Sequence, residues 1–212
     1  MVTGCAAPAG RHPERRFAAE IDAFVAADRL APPASGGVLF VGSSSIRMWS
    51  TLEADFPGIA VLNRGFGGSE LEDVVRAAPR IVVPCAPRLI IVYAGDNDLA
   101  NGKSPERVCG DFVRLRQLLQ TALPATHLAF IAIKPSPARW HLASSVRQAN
   151  DCIRQQMADD SRLVFVDVFT PMLGGTGTPR PELFLDDGLH LNAAGYALWR
   201  QVLAPIVLTT VP

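Results

Sequence analysis

Near the C-terminus, Asp187-Gly188-Leu189-His190 sets an aspartate three residues before a histidine, a spacing that one helical turn would place on a single face. A carboxylate there accepts the Nδ1 proton, fixes the ring tautomer and stabilises the imidazolium formed when the other nitrogen acts as a base. Such a pair needs a hydroxyl to activate. Val38-Leu39-Phe40-Val41-Gly42-Ser43-Ser44-Ser45 offers three, where an apolar run ends in a glycine that permits a sharp turn into a helix. A serine aimed by that turn is exposed and rigid, and the helix N-terminus favours the negative charge that develops on attack. Each motif also fits a plain alternative: a solvated aspartate capping a turn for the first, a serine N-cap for the second.

Two further clusters could complete the chemistry. Gly65-Phe66-Gly67-Gly68 can present backbone N–H groups that no side chain blocks, as half of an oxyanion hole, or can be a tight turn needing positive φ. It also resembles the start of a dinucleotide fingerprint, but Ser69-Glu70 follows, and a carboxylate there would repel a pyrophosphate. In Gly95-Asp96-Asn97-Asp98, Asn97 can offer a neutral amide donor to an oxyanion. Asp98 is expected to cap the turn or to hydrogen-bond backbone amides that hold the loop. Because no second group of oxygen ligands has suitable spacing, neither a metal nor any other cofactor is expected.

The elements that must position these residues alternate. Short, nearly continuous apolar runs fall at residues 38–41, 59–62, 89–93, 128–133 and 163–168, as in strands buried on both faces of a parallel sheet. Helical periodicity fills residues 15–30, 71–83, 105–123, 144–157 and 193–207. This order implies βαβ crossovers and a three-layer α/β/α fold, with one domain over residues 14–212 behind a flexible tail over residues 1–13. In such sheets ligands bind beyond the carboxyl ends of the strands, where the four clusters would converge.

Composition narrows the partners. Of 212 residues 49% are hydrophobic, and 20 basic side chains balance 20 acidic ones, so neither nucleic acid nor an anionic membrane is an expected partner. No run is long and apolar enough for a membrane span. Cys5, Cys85, Cys109 and Cys152 are scattered, which argues against zinc and against a disulfide framework; Cys85, Cys109 and Cys152 are expected to be reduced and partly buried. Val2-Thr3-Gly4-Cys5 has the look of a lipoprotein processing box without the apolar segment that should precede it. The chain as it stands reads as cytoplasmic, and as an exported lipoprotein if the true start lies upstream of Cys5.

Taken in order, the four clusters resemble those of the SGNH hydrolases, or GDSL-type esterases, over roughly residues 38–207. Gly42-Ser43-Ser44 is similar to the first block, with Ser43 in place of the usual aspartate, as in a branch with a Gly-Ser-Ser-Ser-Ile-Arg pattern. The resemblance makes Ser44 the nucleophile (Ser45 the reserve, since three serines leave the register open), Gly68 and Asn97 oxyanion donors with the Ser44 N–H, and Asp187 and His190 the rest of a triad. It implies a flavodoxin-like, five-stranded parallel sheet of order 2-1-3-4-5.

The activity implied is hydrolysis of small carboxylic esters, O-acetyl groups on carbohydrate being one class, through an acyl-enzyme and with activity falling at acid pH as His190 protonates. A lysophospholipase or thioesterase on the same triad, a non-catalytic ligand-binding module and a Rossmann oxidoreductase are the alternatives. Arg64, Arg139 and Trp140 are candidate substrate contacts at the rim, Arg64 having a salt bridge under the glycine loop as its simpler account. His12, His127 and His141 are read as bystanders, and Tyr196 and Trp199 as packing.

Overall fold

The computed structural model describes residues 16–209; the expected tail over residues 1–13, with Cys5 and His12, lies outside them. Five parallel strands, β1 (Val38–Gly42), β2 (Val61–Gly65), β3 (Leu89–Tyr93), β4 (His127–Ile131) and β5 (Leu163–Val166), form one sheet of order β2-β1-β3-β4-β5. The helices are α1 (Ala18–Leu30), α2 (Ser44–Arg47), α3 (Leu52–Asp55), α4 (Leu71–Ile81), α5 (Asp96–Ala100), α6 (Pro105–Ala122), α7 (Ala143–Gln156) and α8 (Ala193–Thr209).

Strand register shows how the helices divide. Val41, Val92 and Phe130 are lateral partners and so share a face, and Phe130 meets Phe112 of α6 edge to face at 5.1 Å. Neighbouring residues point the opposite way. There Phe40 meets Trp49 just beyond α2, and Tyr93 meets Trp199 of α8 with centroids 4.9 Å apart. The α1, α4, α6 and α7 layer therefore covers one face, and α8 with the α2–α3 segment covers the other. Phe40, Trp49, Tyr93, Phe112, Phe130 and Trp199 are all fully buried, each worth about 1.5–3 kcal/mol relative to exposure.

Local chemistry sets the helix ends. Ser104 accepts the Arg107 N–H at 3.3 Å with Pro105 opening α6, and α6 stops where Leu123 precedes Pro124 and leaves the helical region. At the start of α4, Asp73 accepts the Glu70 N–H at 3.0 Å.

Two expectations are corrected. Strand β2 begins two residues later than expected and runs through Asn63 and Arg64, polar residues read as loop. They stay in the ladder because both are satisfied: Asn63 bonds the Ile46 carbonyl and the Gly65 N–H, and Arg64 pairs with Asp28. Cys109 and Cys152 are not reduced thiols but a disulfide. Packing of α6 on α7 brings their Cα atoms to 6.1 Å, a proximity that a separation of 43 residues does not announce. Cys85 is free and buried.

Candidate active site

The first cluster owes its shape to close backbone approach. Gly42 has φ +142°, and a Cβ there would lie 1.8 Å from the Tyr93 carbonyl oxygen on β3. Only glycine lets β1 turn so tightly beside β3. At Gly65 of β2 a Cβ would come within 2.2 Å of the Arg47 backbone nitrogen, so this glycine lets α2 sit directly on the strand leading to the glycine loop. Ser43 precedes α2 in extended conformation, and Ser44 opens the helix.

Burial separates the three serines. Ser43 and Ser45 are buried at 0% and 1% exposure, whereas Ser44 is half-buried. Ser44 Oγ lies 3.1 Å from His190 Nε2.

The second cluster is not the helical turn that its spacing allows. Residues 184–191 form a tight loop closed by the Leu185 N–H to the His190 carbonyl at 2.8 Å, with Gly188 at φ +61°. Asp187 organises it, accepting the Leu189 and His190 N–H groups on Oδ1 at 2.9 Å each and His190 Nδ1 on Oδ2 at 2.6 Å. A carboxylate can only accept, so Nδ1 carries the proton and Nε2 presents its lone pair to the Ser44 hydroxyl. The His190 ring and these two N–H groups hold the Asp187 carboxyl down at about 2. It is therefore ionised wherever His190 could serve as a base.

The remaining clusters are tied to each other. Asn97, in α5, donates Nδ2–H to the Ser69 carbonyl at 3.1 Å, which ties its loop to the residue after Gly68. Asp98 is fully buried and accepts the Leu71 N–H at 3.1–3.2 Å while contacting Lys103 Nζ at 3.1 Å, so the backbone amide it holds belongs to α4 rather than to its own loop. Burial raises its carboxyl to about 6 despite the pull of Lys103. Gly68 sits at φ +73°, and its carbonyl accepts from Arg16 at 3.1 Å.

The candidate rim contacts are placed differently from one another. Arg64 is 4% exposed, paired with Asp28 and set over the Phe24 ring, on the α1 side rather than beside Ser44. Arg139 directs its guanidinium to Asp96 and to Asn97 Oδ1, each at 3.1 Å. The Trp140 ring is half-buried with the Arg147 guanidinium 5.3 Å from its centroid. Tyr196 and Trp199 pack as expected, Trp49 stacking on Tyr196 at 5.1 Å and meeting Trp199 edge-on at 6.1 Å.

Several supporting side chains have no local sequence signal. Arg16 and Glu20 reach the Gly68 carbonyl and the Gly67 N–H across about fifty residues of chain, at 3.1 and 3.3 Å. Arg47 is exposed with its guanidinium against Gly67, where a Cβ would come within 2.8 Å of it. Lys134, 3% exposed, joins Asp96 at 3.2 Å and the Tyr93 hydroxyl at 3.1 Å. Among the described residues, no three His, Cys, Asp or Glu side chains are grouped as metal ligands, and no helix is long and apolar enough to cross a membrane.

Residues 37–198 match the family model for the GDSL-like Lipase/Acylhydrolase family. No curated protein matches the chain. Among solved structures, a GDSL-like lipase from Bacteroides thetaiotaomicron superposes with TM-score 0.76 at 17% identity, over 90% of this chain and 98% of that one. A carbohydrate esterase family 3 protein from Talaromyces cellulolyticus gives 0.64 at 18%, over 82% and 97%. A variant of Axe2, an acetyl-xylooligosaccharide esterase from Geobacillus stearmophilus, gives 0.65 at 15%, over 82% and 95%. At these identities the likeness to solved structures is one of fold.

Proposed function

The chain belongs to the GDSL-like lipase/acylhydrolase family of carboxylic ester hydrolases, and we propose that it is a serine esterase acting on small esters through Ser44, His190 and Asp187. The observation that carries this reading is the unbroken chain of contacts from Ser44 Oγ through both nitrogens of His190 to Asp187. His190 Nε2 takes the Ser44 proton as Oγ attacks the ester carbonyl, and Asp187 holds the ring and offsets the charge it acquires. The tetrahedral oxyanion is met by the Ser44 and Gly68 N–H groups and by the second Nδ2 hydrogen of Asn97, the first being donated to Ser69. His190 then passes the proton to the leaving alcohol, and a water activated by the same nitrogen releases the acid.

We assign the whole of residues 14–212 to one catalytic domain. Within the described part, one sheet and one apolar core support every site residue. O-acetyl groups on carbohydrate are the substrate class we favour, a choice that rests on esterase relatives of the same fold rather than on a contact in this chain. The test is a comparison of p-nitrophenyl acetate, longer-chain p-nitrophenyl esters and acetylated xylooligosaccharides, with Ser44→Ala as the blank. Acetyl esters hydrolysed in preference to long-chain ones, with Ser44→Ala inert, is the expected result. Preference for long acyl chains would replace this reading with a lysophospholipase or thioesterase.

A further inference from the structure

Asn97 can serve an oxyanion only if its nitrogen, not its oxygen, faces the reacting carbonyl. An asparagine amide turns over easily, and its acceptor end would repel the charge that its donor end stabilises. Here two neighbours of opposite character fix the choice. The Ser69 carbonyl can only accept, so it takes Nδ2; the Arg139 guanidinium can only donate, so it takes Oδ1, each at 3.1 Å. A reversed amide would face a carbonyl with an oxygen and a guanidinium with an NH₂ group.

Arg139 is itself held. Its guanidinium meets Asp96, 7% exposed, at 3.1 Å, and Lys134 reaches the same Oδ2 atom at 3.2 Å. Burial alone would push the Asp96 carboxyl up; the two cations outweigh it and hold it below its ordinary value. The anchor is therefore a carboxylate, and Arg139 retains a fixed direction.

The same short segment touches the base. The Ala138 N–H donates to the Gly188 carbonyl at 3.0 Å, between Asp187 and His190, and a Cβ on Gly188 would come within 3.3 Å of the Pro137 side chain. Adjacent residues thus reach the loop of the base and the amide of the oxyanion donor.

We infer that Arg139 is a positioning residue for transition-state stabilisation. It orients the Asn97 amide and, by drawing electron density toward Oδ1, strengthens the free N–H as a donor, while its backbone neighbour registers the His190 loop against the same point. This role rests on the serine-esterase reading above. It differs from a substrate contact: losing a residue that binds ester in the ground state raises KM, whereas losing one that acts through an oxyanion donor lowers kcat and kcat/KM together.

The test is a double-mutant cycle between Arg139→Met and Asn97→Ala with p-nitrophenyl acetate, alongside the rate of Ser44 labelling by a fluorophosphonate. Arg139→Met is expected to lower kcat, kcat/KM and the labelling rate each by about tenfold, with KM changed less than about twofold. In the Asn97→Ala background the same change is expected to cost almost nothing further. Arg139→Lys, which retains one donor, is expected to recover part of the loss, and thermal melting identifies any variant whose fold has failed. An Arg139→Met enzyme with unchanged kcat and labelling, a rise in KM alone, or a loss fully additive with Asn97→Ala would each overturn the assignment. If Arg139→Met does not fold, Arg139→Lys matching Arg139→Gln in kcat would overturn it equally. A wild-type protein with neither turnover nor labelling would remove the esterase reading and this role together.

Discussion

The Tyr196 hydroxyl donates to the Ser45 carbonyl at 3.0 Å, joining α8, which follows the His190 loop, to the turn that carries Ser44. The bond spans 151 residues and is buried, with Trp49 stacked on the Tyr196 ring. It fixes α8 and the start of α2 against each other, one residue from the proposed nucleophile. Tyr196→Phe keeps the ring packing and removes only the donor, leaving the Ser45 carbonyl without this bond. We expect a stability loss of about 1 kcal/mol in urea unfolding. A larger proportional fall in kcat than in substrate affinity should accompany it, because the Ser44–His190 distance is no longer fixed at both ends.

Of the three serines, only Ser44 should matter to chemistry. Ser44→Ala is expected to remove turnover to the background left by the oxyanion donors. Ser45→Ala should retain more than about a third of wild-type kcat, since its side chain is buried and a methyl group fits the same volume. Steady-state assays of both variants check the register directly.

Asp187 yields a pH prediction with a definite sign. Its folded carboxyl titrates at about 2, below the ordinary value near 4. The stability it contributes is therefore fully present above that ordinary value and is lost as pH falls through about 2. Asp187→Asn should lower kcat by about a hundredfold or more and flatten the acid arm of the stability curve. Unfolding stability of the two proteins compared from about pH 2 to 5 checks this, and an acid arm unchanged by the substitution would contradict it.

Asp98 behaves in the opposite sense. Burial sets its folded value at about 6, above the unfolded one, so the folded state holds the proton more tightly. Its stabilising contribution is complete below pH about 4 and disappears as pH rises through about 6. Asp98→Asn keeps an acceptor for the Leu71 N–H and should abolish that component. The check is the difference between the two melting temperatures across pH 4 to 7, scanned at about half-unit steps.

The Cys109–Cys152 bridge closes 43 residues, for which chain entropy allows up to about 4 kcal/mol. Reduction, or Cys109→Ala with Cys152→Ala, should lower the melting temperature by several degrees. Ser44 chemistry should survive at 25 °C, since the bridge joins α6 to α7 rather than loops of the site.

What was legible in the sequence follows physical range. Strands β1 and β3 read directly because their side chains are apolar and buried throughout. The Asp187–His190 pair was visible because its partners are three residues apart, although an Asx-type loop replaces the helical turn. The polar end of β2 was missed because Asn63 and Arg64 are satisfied by Ile46, Gly65 and Asp28, partners that local pattern does not show. The disulfide failed for the same reason. Arg139 was singled out for its place on the rim, but its pairing with Asp96 and Asn97 exists only once β4 lies beside β3.

The most direct test of the central claim is fluorophosphonate labelling of native, heat-denatured and His190→Ala protein, with the modified residue located by peptide mass spectrometry. An activated nucleophile predicts one adduct, on Ser44, in the native protein, and none after denaturation or in His190→Ala. No adduct in the native protein, or one on Ser44 that persists without His190, would contradict the account.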